Sequence, residues 1–203
     1  MKFILSILAL LAIVFLVGCS AKDTSNNKLS NSEITKLGKK YGGVYVFNKK
    51  FEKEIDDRER ERKEAIKELK GRDLGGGLYA VDTKPVDEKF PQTLSNGKKY
   101  YTSTRSYEQD YKKAVNVSKK YINKIINFIG QEDYNKFKPS IDIGYFYVDN
   151  DEVVPIELSA TYSYQGTKFG FFGDEGRGFS LSRDEIYTVK GGNRFYLEDT
   201  EKR

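Results

Sequence analysis

The chain has 203 residues, and its 35 Lys and Arg against 30 Asp and Glu leave a formal charge of +5, with no His and a single Cys. The absence of His excludes the commonest general base and metal ligand, and with them the His-dependent serine and cysteine triads. The charge excess is small and spread over residues of both signs, so it gives no indication of nucleic-acid binding. The 15 Tyr and 13 Phe can supply a core for one domain, or for two very small ones, without disulfides.

The chain begins with the layout of a secretory signal. Lys2 precedes an unbroken apolar run from Phe3 to Val17, and Gly18 then stands before the only cysteine, Cys19. A helix that spans a bilayer needs roughly 20 apolar residues, and this run is shorter. The pattern therefore favours a cleavable leader over a permanent membrane helix.

The residues Leu16-Val17-Gly18-Cys19 resemble the lipobox of bacterial lipoproteins. This resemblance implies that residues 1–18 are a signal peptide and that Cys19 carries a diacylglyceryl group. Two long acyl chains anchor a protein stably, because each buried CH₂ contributes about 0.8 kcal/mol. The implied location is the cell membrane or the outer membrane, with the protein facing outside the cytoplasm. In this family an Asp directly after the lipidated Cys favours retention in the inner membrane. Here that residue is Ser20, so both locations stay open. The alternatives are an ordinary signal peptide with an incidental Cys and an uncleaved membrane helix.

Composition divides the rest of the chain in two. Residues 19–32 contain Ser, Asn, Lys and Asp with almost nothing apolar, which predicts a flexible tether after the lipidated Cys. Residues 33–203 are predicted to form a single α+β domain.

The first half of that domain predicts mixed secondary structure. One long helix, Phe51–Lys70, has a thin apolar stripe and is otherwise charged, with pairs such as Glu54 and Arg58 at the stabilising i,i+4 spacing. We interpret its charged side as a solvated face. The other elements expected here are a short helix Glu33–Leu37, strands Val44–Phe47 and Leu78–Val81, and a loop or hairpin over Lys84–Lys99.

The strongest helical pattern lies over Ser106–Ile129. Its apolar residues recur at three- and four-residue steps, Ser106 and Gln109 fit a capping box, and Gly130 can end the helix. The sequence therefore predicts one long amphipathic helix whose apolar side packs on a sheet.

From Ser140 onward the apolar period changes to two, which predicts strands. Ile156–Gln165 alternates most regularly, and turns are predicted at Gln165-Gly166, at the glycine-rich loop Gly173–Gly178 and at Gly191-Gly192, the last as a hairpin. The other strands are Ile141–Val148, ending at the turn Asp149–Asp151, and Lys168–Phe172, Phe179–Val189 and Arg194–Glu198. The predicted fold class is α+β: an antiparallel meander sheet of four to six strands on the long amphipathic helix, with the charged helix N-terminal to it and the other sheet face exposed to water.

With no His and only one Cys, catalysis by a pair of carboxylates is the main enzymatic option that the composition leaves. Glu152 and Glu157 flank a strand start, and Asp174 and Glu175 are adjacent in the glycine-rich loop, whereas a glycosidase needs two carboxyl groups about 5–9.5 Å apart across a cleft. Acidic pairs arise often in a chain so rich in acids, so we predict no catalytic residue. The segment Asp149–Glu152 resembles the start of a calcium loop but lacks the later Gly and Glu, which favours a plain β-turn. No metal ion or cofactor is predicted.

Aromatic and charged residues near the predicted turns are the candidates for binding. The glycine-rich loop places two acids and a base beside several Phe, and the predicted strands carry more Tyr than one core face can bury. The candidate binding residues are Tyr145, Tyr147, Asp174, Glu175, Arg177, Tyr187 and Tyr196.

These observations predict a non-enzymatic lipoprotein that binds a protein partner outside the cytoplasm. The favoured form is an immunity-type neutraliser of a toxin or other envelope-active protein. Two alternatives stay open: a lipoprotein that binds a small molecule or a cell-wall component in an aromatic cavity between helix and sheet, and a carboxylate-dependent glycan hydrolase. An enclosed cavity of roughly 300–1,000 Å³ would indicate the first alternative, and two carboxyl groups converging in a cleft would indicate the second.

Overall fold

The computed structural model describes residues 29–174, 176 and 178–197, with only the backbone of Asp174. The leader, Cys19, most of the predicted tether, Glu175 and Arg177 lie outside the described residues. Within the described part of the chain, no helix is long and apolar enough to cross a membrane.

Helices and strands are interspersed over the first part of the described chain, and six strands follow one another from Ser140 onward. The helices are α1 (Asn31–Tyr41), α2 (Lys49–Lys67), α3 (Lys84–Lys89), α4 (Thr104–Tyr111), α5 (Lys119–Ile129) and α6 (Gln131–Lys136). The strands are β1 (Gly43–Val46), β2 (Arg72–Gly75), β3 (Leu78–Ala80), β4 (Tyr100–Tyr101), β5 (Ser140–Ile143), β6 (Phe146–Asp149), β7 (Glu152–Pro155), β8 (Glu157–Asp174), β9 (Gly178–Val189) and β10 (Asn193–Tyr196). The predicted α+β fold class is confirmed.

The strands form a main sheet, a small sheet and a hairpin. The main sheet has the order β10-β1-β8-β5, with β9 also paired to β8. The small sheet has the order β4-β6-β7, and β2 pairs with β3 as a separate hairpin. The pairing is antiparallel except between β1 and β10, which run parallel.

Strand β8 belongs to two parts of the structure. Its first residues pair with β1 on one side and with β5 on the other. From Tyr162 to Asp174 it pairs with Gly178–Val189 of β9 instead, and we call this two-stranded extension the ribbon. The turn predicted at Gln165-Gly166 is wrong, because both residues lie within the ladder of the ribbon.

Helices lie on both faces of the main sheet. On one face, the Phe128 ring of α5 lies 5.6 Å from the Tyr45 ring of β1 and 4.7 Å from the Phe195 ring of β10, centroid to centroid. On the other face, Arg194 of β10 donates a hydrogen bond to Glu52 of α2. Side chains alternate along a strand, so Arg194 and Phe195 point to opposite faces. The face that was predicted to be exposed to water is therefore partly covered by α2.

The single helix predicted over Ser106–Ile129 is wrong, because two helices occupy this stretch. Helix α4 ends at Tyr111, and α5 begins at Lys119. Between them Lys112 adopts the left-handed conformation with φ 55°, and its N–H donates to the carbonyl of Glu108 at 2.9 Å. This arrangement closes α4 and turns the chain away from the helix axis.

The two helices contact different sheets. Tyr107 of α4 is buried with Phe146 of the small sheet, whereas Phe128 of α5 contacts the main sheet. The regular spacing of apolar residues over Ser106–Ile129 shows only that one side is apolar. It does not show that the first half packs on one sheet and the second half on another. The capping box predicted at Ser106 is also wrong, since the side chain of Ser103 caps α4 by accepting the N–H of Ser106.

Three predicted connections differ from the structure. The strand predicted over Ile141–Val148 is divided at Gly144 into β5, which joins the main sheet, and β6, which joins the small sheet. Gly191-Gly192 does not connect a hairpin, because β10 pairs with β1 rather than with β9. Within the predicted loop Lys84–Lys99, the chain forms α3, with Pro85 in its first turn.

The predicted charged helix is confirmed, but its charged side is not wholly solvated. Helix α2 corresponds to the predicted Phe51–Lys70, yet Glu52 and Arg62 are only 4% and 8% exposed. Helix α1 is longer than the predicted Glu33–Leu37 and begins at Asn31, inside the predicted tether.

Replacing Lys112 with Gly tests the break between α4 and α5. A side chain in the left-handed region is strained by about 1 kcal/mol relative to Gly, so Lys112→Gly should raise the thermal unfolding midpoint by roughly 2–4 °C. The matched control is Lys53→Gly, because Lys53 is exposed in the second turn of α2, inside the helix, where Gly destabilises by about 1 kcal/mol. Scanning calorimetry should therefore show opposite shifts. If both variants unfold earlier, the helix is continuous through Lys112.

Candidate functional site

The ribbon extends from a well-packed base. Tyr162 is fully buried there, and the rings of Tyr164 and Tyr187 stack with centroids 5.5 Å apart. Helix α1 approaches closely at Gly38, where an added Cβ would lie 2.7 Å from the side chain of Val189. The base is thus held by α1 and by the core of the main sheet.

Large apolar side chains are exposed toward the turn end of the ribbon. Phe169, Phe171, Phe179 and Leu181, which we call the apolar tip, are 82%, 72%, 59% and 74% exposed. With about 200 Å² for each Phe side chain, the three rings alone leave roughly 400 Å² uncovered. This area is divided between the two faces of the ribbon, because Phe169 pairs with Ser182 whereas Phe179 and Leu181 lie at the alternate positions of β9. Large apolar side chains exposed at one end of an element are typical of interaction surfaces.

Ring contacts give the tip a defined shape. The rings of Phe171 and Phe179 stack with centroids 4.6 Å apart, and the guanidinium of Arg183 lies 4.5 Å from the ring centroid of Phe172. The register of the ladder shifts between Phe169 and Phe172, which is a β-bulge on the β8 strand. A bulge increases the local twist and re-aims side chains, so the tip departs from a flat ladder.

The middle of the ribbon carries charges of both signs. Arg183 Nε donates to Glu185 Oε1 at 2.7 Å, and Lys168 Nζ lies 3.6 Å from the same oxygen. Arg183, and after it Lys168, lower the pKa of Glu185. On the opposite face, Asp184 accepts a hydrogen bond from the hydroxyl of Thr167 at 3.0 Å. Exposed pairs of this kind contribute little stability, but they give the apolar tip a polar border.

The candidate tyrosines lie in three different places. Tyr187 is partly exposed on the ribbon, and Tyr196 is 49% exposed on β10. Tyr145 and Tyr147 are half-buried against the core cluster that contains Ile55. The structure therefore does not bring the four tyrosines together on one surface.

Of the candidate loop residues, Asp174 forms the last pair of the ribbon ladder with Gly178, and Glu175 and Arg177 lie outside the described residues. Sequence analysis did not select Phe169 and Phe171 as binding residues. The sequence does contain an indication of them: Phe residues occupy both odd and even positions of the strand just before the glycine-rich loop, so they point to both faces of that strand. Both faces of one strand cannot be buried in a ribbon that has no second layer.

A second group of polar residues lies under α2, and we call it the acid cluster: Glu52, Asp56, Tyr145, Glu157 and Arg194. Arg194 bonds Glu52 and attracts Glu157 and Asp56. Burial raises the pKa of Tyr145 to about 12, and the negative charge of Asp56 adds to this shift. Three carboxyl groups thus share one guanidinium.

Burial dominates the electrostatics of the acid cluster. It raises the pKa of Glu157, with Arg194 opposing this and Glu52 adding to it. Burial also raises the pKa of Glu52. Glu157 Oε2 is buried without a hydrogen-bond partner. Glu152, which the sequence left open as a carboxylate partner of Glu157, lies exposed on β7, where its carboxylate is 3.6 Å from Lys120 Nζ.

Two polar clefts lie elsewhere on the described surface. One, of about 560 Å³, is lined by the α4–α5 connection and the β6–β7 turn and includes Lys113 and Asp151. The other, of about 490 Å³, is lined by charged residues that include Arg62 and Asp110. Neither is the aromatic cavity between helix and sheet that the small-molecule alternative requires. Among the described residues, no His, Cys, Asp and Glu group could hold a metal ion.

Replacing Glu157 with Gln should stabilise the folded chain at neutral pH. Gln removes a buried charge and reduces the carboxyl groups around Arg194 from three to two, Glu52 and Asp56. Ionisation of a carboxyl group whose folded pKa is raised favours the unfolded chain, so its destabilising effect grows as pH rises from the ordinary value of about 4.3 through the folded value.

We therefore expect Glu157→Gln to raise the unfolding midpoint by roughly 2–4 °C at pH 7, as ~1 kcal/mol does in a chain of this size, and to change it little at pH 3. Thermal unfolding followed by circular dichroism measures both values. The exposed Glu152→Gln variant is the control and should match the parent chain at both pH values. A lower midpoint for Glu157→Gln at pH 7 would show that the fold requires the charge.

Comparison of the chain with known proteins gives no match, whether with family models, with curated proteins or with solved structures.

Proposed function

We propose that the chain is a lipid-anchored, non-enzymatic protein-binding module that faces outside the cytoplasm and engages its partner through the ribbon. The observation that carries this proposal is the exposure of the apolar tip at the end of a two-stranded extension. A soluble domain gains nothing by leaving three phenyl rings in water. Their exposure is explained if a partner covers them.

The chemistry of the ribbon favours a protein as the partner. Phe and Leu are interspersed with the ion pair of Arg183 and Glu185, and a protein interface combines an apolar centre with a polar rim in the same way. The turn between the strands carries Asp174 and Glu175, and acidic groups there disfavour insertion into an anionic membrane surface. A small molecule would need a concave site, whereas the tip projects from the sheet.

Within this class we favour an immunity-type neutraliser of a toxin or another envelope-active protein. A narrow projecting ribbon with rigid aromatic rings fits a concave surface, as long binding loops do. An active-site cleft or a pore mouth is a surface of that shape. A lipid on Cys19 would keep the ribbon at the membrane where such a protein acts.

Site-specific photo-crosslinking tests the ribbon as the binding element. With benzoyl-phenylalanine in place of Phe171, irradiation of intact cells should link the chain to one defined envelope or secreted protein. Leu78 is the matched control, because it is 67% exposed on the separate β2–β3 hairpin and should give no such product. Adding Phe169→Ser should lower the yield about tenfold, as expected when a binding hot spot is lost. Equal products from positions 171 and 78 would contradict the proposal. The neutraliser form further requires that the captured protein harm cells that lack the chain.

Replacing Cys19 with Ser tests the anchor. Two acyl chains hold a protein stably at a bilayer, so Cys19→Ser should move most of the chain from the membrane pellet to the soluble fraction. Mass spectrometry of the membrane-bound parent should show a diacylglyceryl-modified N-terminal Cys. Ser20→Ala is the control and should remain in the pellet. A Cys19→Ser chain that stays membrane-bound after an alkaline wash would show that the lipid is not the anchor.

A further inference from the structure

The outer edge of β9 is open along the ribbon. In the described part of the chain β9 pairs with β8 and with no other strand. Most of its side chains from Phe179 to Thr188 are exposed. An open edge presents a row of backbone N–H and C=O groups to any strand that can align with it, and proteins usually blunt such edges.

The two edges of the ribbon differ in this respect. The β8 edge is interrupted by the bulge between Phe169 and Phe172, and it carries Gly166, Gly170 and Gly173, which have no side chain to pack against an added strand. The β9 edge has no Gly or Pro between Phe179 and Val189, and its ladder carries no extra residue. On β9 the N–H and C=O of Ser182 are bonded to the hydroxyl of Ser180, and an added strand would exchange these two bonds for ladder bonds. Strand addition is therefore less obstructed at β9 than at β8.

The sequence of β9 is complementary to itself in one antiparallel register. A two-fold axis at Asp184 pairs each residue with the one equally distant on the other side of Asp184. On one face Arg183 then lies opposite Glu185 of the second copy, and Leu181 lies opposite Tyr187 of the second copy. Opposite charges and an aromatic–aliphatic pair directly across a ladder each contribute roughly 0.2–1 kcal/mol, and the symmetry produces every pair twice.

Charge selects this register over its neighbours. An axis at Arg183 would place Arg183 opposite its own copy, and an axis at Glu185 would do the same for Glu185, with no compensating ion pair in either case. In the register centred on Asp184, the Asp184 carboxylates of the two copies also lie opposite each other and repel. However, Asp184 lies on the other face and is bonded to Thr167 of β8, and two Arg–Glu pairs offset the repulsion.

We propose that β9 pairs antiparallel with β9 of a second copy of this chain about a two-fold axis at Asp184, which gives a four-stranded sheet β8-β9-β9-β8. The pairing covers Phe179, Leu181 and Tyr187 and leaves Phe169 and Phe171 on the outer strand. It covers two of the four residues of the apolar tip and leaves the other two, Phe169 and Phe171, available to the protein partner proposed above.

Disulfide trapping tests the register directly. Opposite residues of an antiparallel pair have Cα atoms about 4.5–5.5 Å apart, which suits a disulfide. In the full-length chain with Cys19→Ser, solubilised in mild detergent and oxidised, Asp184→Cys should yield mainly a covalent dimer on a non-reducing gel. Ser180→Cys is the control, because two copies of position 180 would lie roughly 26 Å apart at 3.3 Å per residue. The proposal is overturned if position 184 stays monomeric or if position 180 crosslinks equally.

A charge-swap mixture provides a second readout that does not depend on cysteine. The Arg183→Glu chain presents two acidic groups and the Glu185→Arg chain two basic groups, so each alone should self-associate at least tenfold more weakly than the parent. Sedimentation of their equimolar mixture should recover dimers, since every acidic group then faces a basic group of the other variant. A mixture no more dimeric than its components would exclude this pairing, because a pair within one chain cannot be restored by mixing.

Discussion

Strand β8 is hydrogen-bonded on both sides along its first residues, by β1 and β5, and on one side along the rest, by β9. The change falls at Tyr162, which is fully buried. An isolated two-stranded ribbon is marginally stable in water, so the ribbon depends on entering the main sheet at this buried residue. The position of the apolar tip, and of every charged group along the ribbon, follows from that continuity.

The ribbon combines features that proteins usually keep apart. Exposed Phe rings and an open edge both favour association, whereas the ion pairs around Glu185 keep the same segment hydrated. The bulge and the glycines on β8 blunt one edge, and the regular run of β9 leaves the other available. This asymmetry assigns different surfaces to the two proposed contacts: the outer Phe side chains to a protein partner, and the β9 edge to a second copy.

The acid cluster has a different character from the ribbon. Glu52 of α2 and Glu157 of β8 lie between the helix and the main sheet. Burial there raises the pKa of both, and Arg194 alone cannot balance three carboxyl groups. Perturbed carboxyl groups often mark catalytic sites, but they also arise wherever a charged helix covers a sheet. The bond between Glu52 and Arg194 joins α2 to β10, so we interpret the cluster as part of the contact between these two elements.

Local patterns along the chain were sufficient to predict the α+β class, the charged helix α2, the strand β9 and the location of the glycine-rich turn, because periodicity and turn residues act over a few neighbouring positions. The sequence also contains the self-complementary order of charges in β9. Tertiary structure alone decided which core each segment joins: Ser106–Ile129 is divided between two sheets, and β8 continues through Gln165-Gly166. A local pattern shows whether a side chain is apolar or polar, but it does not show which other element packs against that side chain. The assembled sheets cover Tyr147 in part and leave Phe169 and Phe171 exposed.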